Sequence, residues 1–346
     1  MPNLTLVDVA KQAGVSRSTV SRVVNDDPNV SDPIRKRVRQ VIQSTGYQPH
    51  AAARMLASQR SWMIGLVLPR TVSSFFTDPY FPRLTQGVAQ ACNQHNLTLG
   101  LFVLASKEDE ERIFPRISRQ GLLDGVIVQT AQKGDKLINR LISSDFPVLV
   151  AGRPFNTNGV SYIDVDNVQS VYEAVCHLIK LGYKRIGTIT GMRDSTVGID
   201  RKEGFLKAMR DHGRMVDHEL IVEGDFTENS GYLAMKMLMP AKPDAVFAAS
   251  DTMATGAIRA VREAGLRVPD DIAFIGYDDL PIASLADFQL TTVKQPISQF
   301  GVQAVEALID LIENGTKPSR KIIMETELVI RESCGASHKK NRRNGH

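Results

Sequence analysis

Cysteine is scarce in this chain of 346 residues, which holds Cys92, Cys176 and Cys334 alone. An odd number of widely separated thiols in no metal-ligand spacing argues against a disulfide framework and a zinc site, and leaves three reduced side chains that fill space. No apolar run approaches the length needed to span a bilayer. The start, Met1-Pro2-Asn3-Leu4-Thr5, has neither the basic nor the apolar region of a signal peptide. A cytoplasmic protein with no membrane partner is therefore expected. Also missing are Gly-x-Gly-x-x-Gly after the first strand, the phosphate loop Gly-x-x-x-x-Gly-Lys, His-Glu-x-x-His and Gly-x-Ser-x-Gly. The seven histidines lie apart along the chain. Nothing marks a catalytic residue, a metal site or a cofactor, so a protein that is not an enzyme is expected.

Hydrophobic residues make up 42% of the chain and charged residues 23%, which are globular values. The length exceeds one ordinary core, so a small domain beside a larger, bipartite domain is the natural division. The formal net charge of +4 is unevenly spread. Residues 1–60 carry nine Lys and Arg against four Asp, and the last nine residues add Lys339, Lys340, Arg342 and Arg343 without an acid. The body between them is acidic. A basic head suits a polyanion at one end only, because phosphate attraction supplies the sequence-independent component of DNA affinity.

The head reads as three short helices. Thr5 followed by Asp8 is a capping-box start, and Leu6, Val9, Ala10 and Ala13 recur at helical spacing. Gly14 supplies a left-handed residue that ends this helix, Val15 plugs the corner, and Ser16 is placed to cap a second helix from Arg17 to Asn25. Val20, Val23 and Val24 face inward there, which leaves Arg17, Ser18, Ser21 and Arg22 outside. A third helix is announced by Ser31 and Pro33, buries Ile34, Val38, Val41 and Ile42, and stops at Gly46. Helix, tight turn, helix is the arrangement that lays its second helix in the major groove, where each base pair shows a distinct donor and acceptor pattern. Arg17 and Ser18 are the expected base readers and Arg22 a guanine or phosphate contact. Thr5, Ser16, Thr19, Ser21 and Asn25 are expected as phosphate or capping groups, with capping alone the alternative for Ser16 and Thr19. Arg35, Lys36, Arg37 and Arg39 read as a solvated face.

From Trp62 onward short apolar runs alternate with helical stretches, the pattern of parallel sheets covered by helices. Candidate strands are Met63–Leu68, Thr98–Leu104, Gly125–Gln129 and Val148–Ala151 in a first lobe. Tyr162–Val165, Arg185–Thr190, Leu220–Glu223, Ala245–Ala249 and Ile272–Ile275 form a second set. Candidate helices are Pro82–His95, Val168–Leu181, Ile199–His212, Gly231–Leu238 and Thr252–Ala264, with Asp166 and Asn167 as caps of the second of these. Two doubly wound lobes leave a cleft at the carboxyl ends of their strands, where a small ligand binds.

Thr5-Leu6-Val7-Asp8-Val9-Ala10 through Ala13-Gly14-Val15-Ser16, followed by Thr19-Val20-Ser21-Arg22-Val23-Val24-Asn25, resembles the headpiece of the lactose-repressor (LacI/GalR) family. The similarity runs on through Gly46-Tyr47-Gln48-Pro49 and Ala53 to Leu56-Ala57, which resembles the family's hinge helix. His50 stands where the family usually has asparagine. The resemblance implies a headpiece over 1–49 and a hinge helix over 50–60 that orders only on operator DNA, adding Tyr47, Ala53 and Leu56 to the DNA-binding set. Leu56 matches the leucine that, paired across two subunits, wedges open a base step, a deformation offset by the contacts that bent DNA permits.

Residues 61–335 resemble the family's effector domain, which shares its fold with periplasmic sugar-binding proteins. The similarity is carried by Asp78-Pro79-Tyr80-Phe81, Arg201-Lys202-Glu203-Gly204-Phe205, Ser250-Asp251-Thr252-Met253-Ala254 and Gly276-Tyr277-Asp278-Asp279. The implied fold is an N-terminal all-α helix-turn-helix headpiece plus an α/β periplasmic-binding-protein-like effector domain of two doubly wound lobes. Lobe 1 spans about 61–160 plus 292–320, and lobe 2 about 161–291 plus 321–335. Thr291-Thr292-Val293-Lys294-Gln295 resembles the family's return to the first lobe. Arg201 and Asp278 are the expected polar pair for a neutral polyol, since buried charges are paired or satisfied by ligand. A pairing of Arg201 with Asp200 or Asp278, and a turn cap at Asp278, are the purely structural alternatives. Tyr80, Phe81 and Phe226 match positions where the family stacks a flat ligand face on a ring. Ser250 replaces a frequent asparagine, and Arg153, in Ala151-Gly152-Arg153-Pro154, follows a strand aimed at the cleft. The function implied is a repressor controlled by a small-molecule effector, a sugar or glycoside, acting as a homodimer on double-stranded operator DNA whose half-sites lie roughly 10 base pairs apart. A purine-type corepressor is the alternative effector. A solute-binding protein without regulatory role would explain the body but not the head. The basic tail, 336–346, is expected to be disordered and lacks the leucine heptad of the family's tetramers.

Overall fold

The first helix begins where its capping box places it. In the computed structural model, which describes residues 4–24, 27–47, 60–68, 72–118, 122–129, 133, 136–144, 146–284 and 289–336, α1 is Leu6–Ala13. The Thr5 hydroxyl accepts from the Asp8 amide while the Asp8 carboxylate accepts from the Thr5 amide at 2.8 Å, so two orphan donors are satisfied together. Gly14, at φ 64°, turns the chain left-handed. The Ser16 hydroxyl then accepts from the Thr19 amide at 3.1 Å and opens α2, Arg17–Val24. The third helix, α3, runs Asp32–Thr45 with Pro33 in its first turn and Gly46 at its end. Ser31 contributes no side-chain cap bond there. Val9, Val20, Val38 and Tyr47 form the buried centre, while Ile34, Val41 and Ile42 are only partly covered, as befits three short helices.

The head helices and the two sheets fall in separate units of the chain. The first sheet joins β1 (Met63–Leu68), β2 (Thr98–Val103), β3 (Gly125–Gln129), β4 (Val148–Ala151), β5 (Ser161–Val165) and β11 (Lys321–Met324), in the order β11-β5-β4-β3-β1-β2 with every pair parallel. Its helices are α4 (Val72–Thr77), α5 (Tyr80–Gln94), α6 (Lys107–Ile117) and α7 (Leu137–Ser143). The second sheet joins β6 (Ile186–Thr190), β7 (Ile221–Glu223), β8 (Ala245–Ala248), β9 (Ala273–Asp278), β10 (Thr291–Lys294) and β12 (Glu327–Val329), in the order β12-β10-β9-β8-β6-β7. Only β12 runs antiparallel to its neighbour. Around it lie α8 (Asn167–Lys180), α9 (Thr196–Asp211), α10 (Glu228–Leu238) and α11 (Asp251–Glu263), and α12 (Ile297–Asn314) packs with the first lobe on α5. The central strands are buried except for Gln129 at the end of β3, because helices cover both faces.

Three strands sit in the opposite lobe from the expected placement. Tyr162–Val165 belongs to the first sheet, between β4 and β11; Thr291–Lys294 belongs to the second, between β9 and β12; and 321–324 forms the first sheet's edge. The chain crosses between lobes three times, after β5, after β10 and between β11 and β12. Apolar patterning reports that a strand is buried, not which sheet buries it.

Candidate functional site

The three crossings gather the carboxyl ends of β5, β9 and β10 into one place, and a narrow cleft of about 80 Å³ opens there, at the strand ends where folds of this kind take small molecules. The first lobe contributes Asp78, Tyr80, Phe81 and Asp164 to its walls, and the second Arg201, Phe226, Ser250 and Asp278.

Arg201 projects from α9 and is only 5% exposed. Its Nε donates to Asn167 Oδ1 at 2.9 Å and its Nη1 to the Ala249 carbonyl at 2.5 Å. Its guanidinium carbon lies 3.6 Å from the centre of the Tyr277 ring. These contacts fix the fork in one plane, which suits recognition of adjacent acceptors. Asp278, at the end of β9, lies 3.6 Å from Arg201 Nη2 and accepts from Gln295 Nε2 at 2.6 Å. Burial pushes its carboxyl up to about 7, although Arg201 pulls the other way. Asp164, on the first lobe, is raised by burial to about 6 against the lowering effect of the Val165 and Arg153 amides it accepts from. Two buried acceptors thus face one guanidinium.

The nearby Asp251 carboxylate is also raised well above its ordinary range by burial. It accepts from Thr292 Oγ1 at 2.6 Å and from the Leu280 amide at 2.8 Å, so it ties the loop after β9 to β10. Phe226, Asp278 and Asp279 all have positive φ, at 70°, 110° and 53°. Such conformations cost non-glycine residues on the order of 1–3 kcal/mol each and concentrate at functional sites. The Phe226 ring occupies space above Gly191, where a Cβ would fall 2.2 Å from its Cζ. Tyr80 and Phe81 begin α5, their rings edge to face at 5.4 Å, and buried Phe81 stacks on Phe75.

Not every expected residue reaches the cleft. Arg153 binds Asp200 in bidentate fashion, at 2.8 and 2.6 Å, and is not among the lining residues, because a carboxylate one residue before Arg201 takes its Nε and Nη2 and holds the side chain there. Ser250 does line the cleft, while its hydroxyl caps α11 by accepting from the Met253 amide. Asp166 caps α8 as expected, whereas the Asn167 side chain turns inward to Asp164 and Arg201. Asp78, Asp164, Thr196 and Gln295 line the cleft and escaped sequence reasoning. For Asp164 a signal existed: a carboxylate inside the apolar run Tyr162-Ile163-Asp164-Val165 is costly unless something needs it there.

In the head, Arg17, Ser18 and Arg22 are exposed on α2 and Ser21 is half-buried. Ser16 shares hydrogen bonds with the hydroxyls of Ser18 and Thr19, at 2.7 and 2.8 Å, and Thr5 serves its own capping box. The ring of Tyr47, a residue expected on DNA, packs in the core of the head, which has no other large ring to fill its centre. Asn25, Ala53, Leu56 and the hinge segment 50–59 lie outside the described residues. Among the described residues no cluster of His, Cys, Asp and Glu could hold a metal ion, and no helix is long and apolar enough to cross a membrane.

Residues 5–50 match the bacterial regulatory proteins of the lacI family, and residues 175–334 match the periplasmic binding protein-like domain. The chain is 36% identical over 333 residues to the transcriptional regulator CelR of Thermobifida fusca, covering 95% of this chain and 98% of that protein. The chain belongs to the LacI family. Its fold resembles a CelR–cellobiose complex with a TM-score of 0.76 at 35% identity, covering 95% of this chain and 99% of the other. It also resembles the lac repressor dimer bound to operator and an anti-inducer, with a TM-score of 0.82 at 27% identity over 96% and 99% of the two chains. The purine repressor PurR of Pectobacterium atrosepticum is 34% identical, over 95% of this chain and 96% of that protein. The head and paired lobes are therefore those of a LacI-family transcriptional regulator, and these relatives are regulators rather than enzymes.

Proposed function

We propose that this LacI-family regulator is a cytoplasmic homodimeric repressor whose operator affinity is set by a neutral sugar or glycoside held between the lobes. The observation that carries the reading is the Arg201–Asp278 pair, buried and facing Asp164 across the cleft. A polyol offers hydroxyls that both donate and accept, so one fixed guanidinium and two carboxylates can each take two of its hydrogen bonds. Tyr80 and Phe226 border the same space and suit the apolar face of a pyranose ring. The structural likeness to CelR, captured with cellobiose, supports the same class. For DNA, Arg17, Ser18 and Arg22 stand exposed on α2 and Ser21 half-exposed beside them, as base readout requires. Asn25, Ala53 and Leu56 complete that set by resemblance. The homodimer rests on the likeness to the lac repressor dimer and would be checked by light scattering.

Calorimetric titration with cellobiose, other neutral glycosides, a uronic acid and hypoxanthine tests the effector. A neutral glycoside should bind, and Asp278→Ala should abolish that binding. A response to hypoxanthine alone would replace the sugar with a purine.

A further inference from the structure

Three buried side-chain atoms among the described residues have no hydrogen-bond partner: Thr85 Oγ1, Gln129 Oε1 and Thr196 Oγ1. Of these residues, Thr196 lines the cleft. It is 1% exposed, so bulk solvent does not reach it. It is also held in place. Thr196 is the first residue of α9, and Ser195 before it accepts from the Gly198 amide at 3.0 Å while donating to the Met192 carbonyl at 3.1 Å. Both neighbouring anchors leave the threonine hydroxyl unused. A buried hydroxyl without a partner is unfavourable, and valine has the same shape without the polar atom. An unsatisfied group at this position therefore points to a bond completed by something that enters the cleft.

We propose that Thr196 is a specificity-determining contact whose hydroxyl bonds a hydroxyl of the effector anchored by Arg201 and Asp278. The inference rests on the sugar reading of the cleft. A threonine hydroxyl both donates and accepts, so its match is a neutral hydroxyl. An effector lacking a hydroxyl there leaves Thr196 unpaired and is disfavoured.

The test compares wild type with Thr196→Val and Thr196→Ser, using cellobiose as the probe and thermal unfolding of the ligand-free proteins as a second readout. Thr196→Val should bind cellobiose about tenfold more weakly, Thr196→Ser should stay within about threefold, and the valine variant should unfold at a higher temperature than wild type. Unchanged cellobiose affinity in Thr196→Val overturns the proposal. Wild type that binds no cellobiose counts against the sugar reading, and the unfolding temperature then decides the Thr196 assignment. A valine variant that unfolds at or below the wild-type temperature overturns it.

Discussion

Asp278 and Asp164 are acids kept partly protonated by their surroundings, with carboxyls raised to about 7 and about 6. Below about pH 4 both are protonated in the folded and unfolded chain alike. Between that pH and 7 the unfolded chain releases their protons while the fold retains them, so stability from these groups falls as pH rises. Thermal unfolding of the ligand-free protein should therefore show a decline over this window that Asp278→Asn makes shallower. A sugar that donates to the ionised carboxylates reverses the preference, because bonds to the charged form favour it. Cellobiose affinity should accordingly strengthen from pH 6 to pH 8, and a flat profile would remove Asp278 from the binding set. At Gly191 an added methyl collides with the Phe226 ring, so Gly191→Ala should weaken sugar binding by about tenfold or more through displacement of the ring, measured by titration calorimetry.

Helix α2 carries the prediction that belongs to an element. Arg22→Ala should cost about 1–3 kcal/mol in operator binding if it reads a base, whereas an equal loss on operator and random DNA marks a phosphate contact. Val38 is fully buried where α3 meets the other two head helices. Val38→Ala should destabilise the head by about 2 kcal/mol and weaken operator binding while sugar binding in the separate unit persists. The head was legible in the sequence almost to the residue, because Thr5, Gly14, Ser16 and Gly46 are local signals that act within one turn of chain. The paired lobes were legible as alternating strands and helices, but their membership was not. Placement of β5, β10 and β11 depends on pairing between residues such as Tyr162 and Lys321, which no local pattern records. The cleft shows the same division. Arg201 and Asp278 were recognisable from motifs, while Thr196, five residues before Arg201 on the same helix, and Gln295, just after the strand paired with β9, carry no motif of their own, and Arg153 was lost to the cleft because its partner Asp200 sits on a helix from the other lobe.

Across the effector unit several polar contacts tie one lobe to the other. Arg153 meets Asp200, Arg83 Nη1 donates to the Asp279 carbonyl at 3.0 Å, and the Lys133 amide donates to the Asp194 carbonyl at 2.7 Å. The bidentate Arg153–Asp200 pair is half-buried, so its loss should cost the observed arrangement of the lobes about 1 kcal/mol. Arg153→Ala should then bind sugar about fivefold more weakly without any change at the cleft wall, and small-angle scattering of the ligand-free variant should show a larger radius of gyration. Any effect of sugar on operator affinity must be mirrored by an equal effect of operator on sugar affinity. The most direct measurement is fluorescence anisotropy of a palindromic operator fragment and a scrambled control, at two salt concentrations, with and without cellobiose, for wild type and Asp278→Ala. Selective operator binding that cellobiose changes in wild type but not in Asp278→Ala is the expected result. Equal binding to both fragments, or a sugar response that survives in Asp278→Ala, would contradict the account.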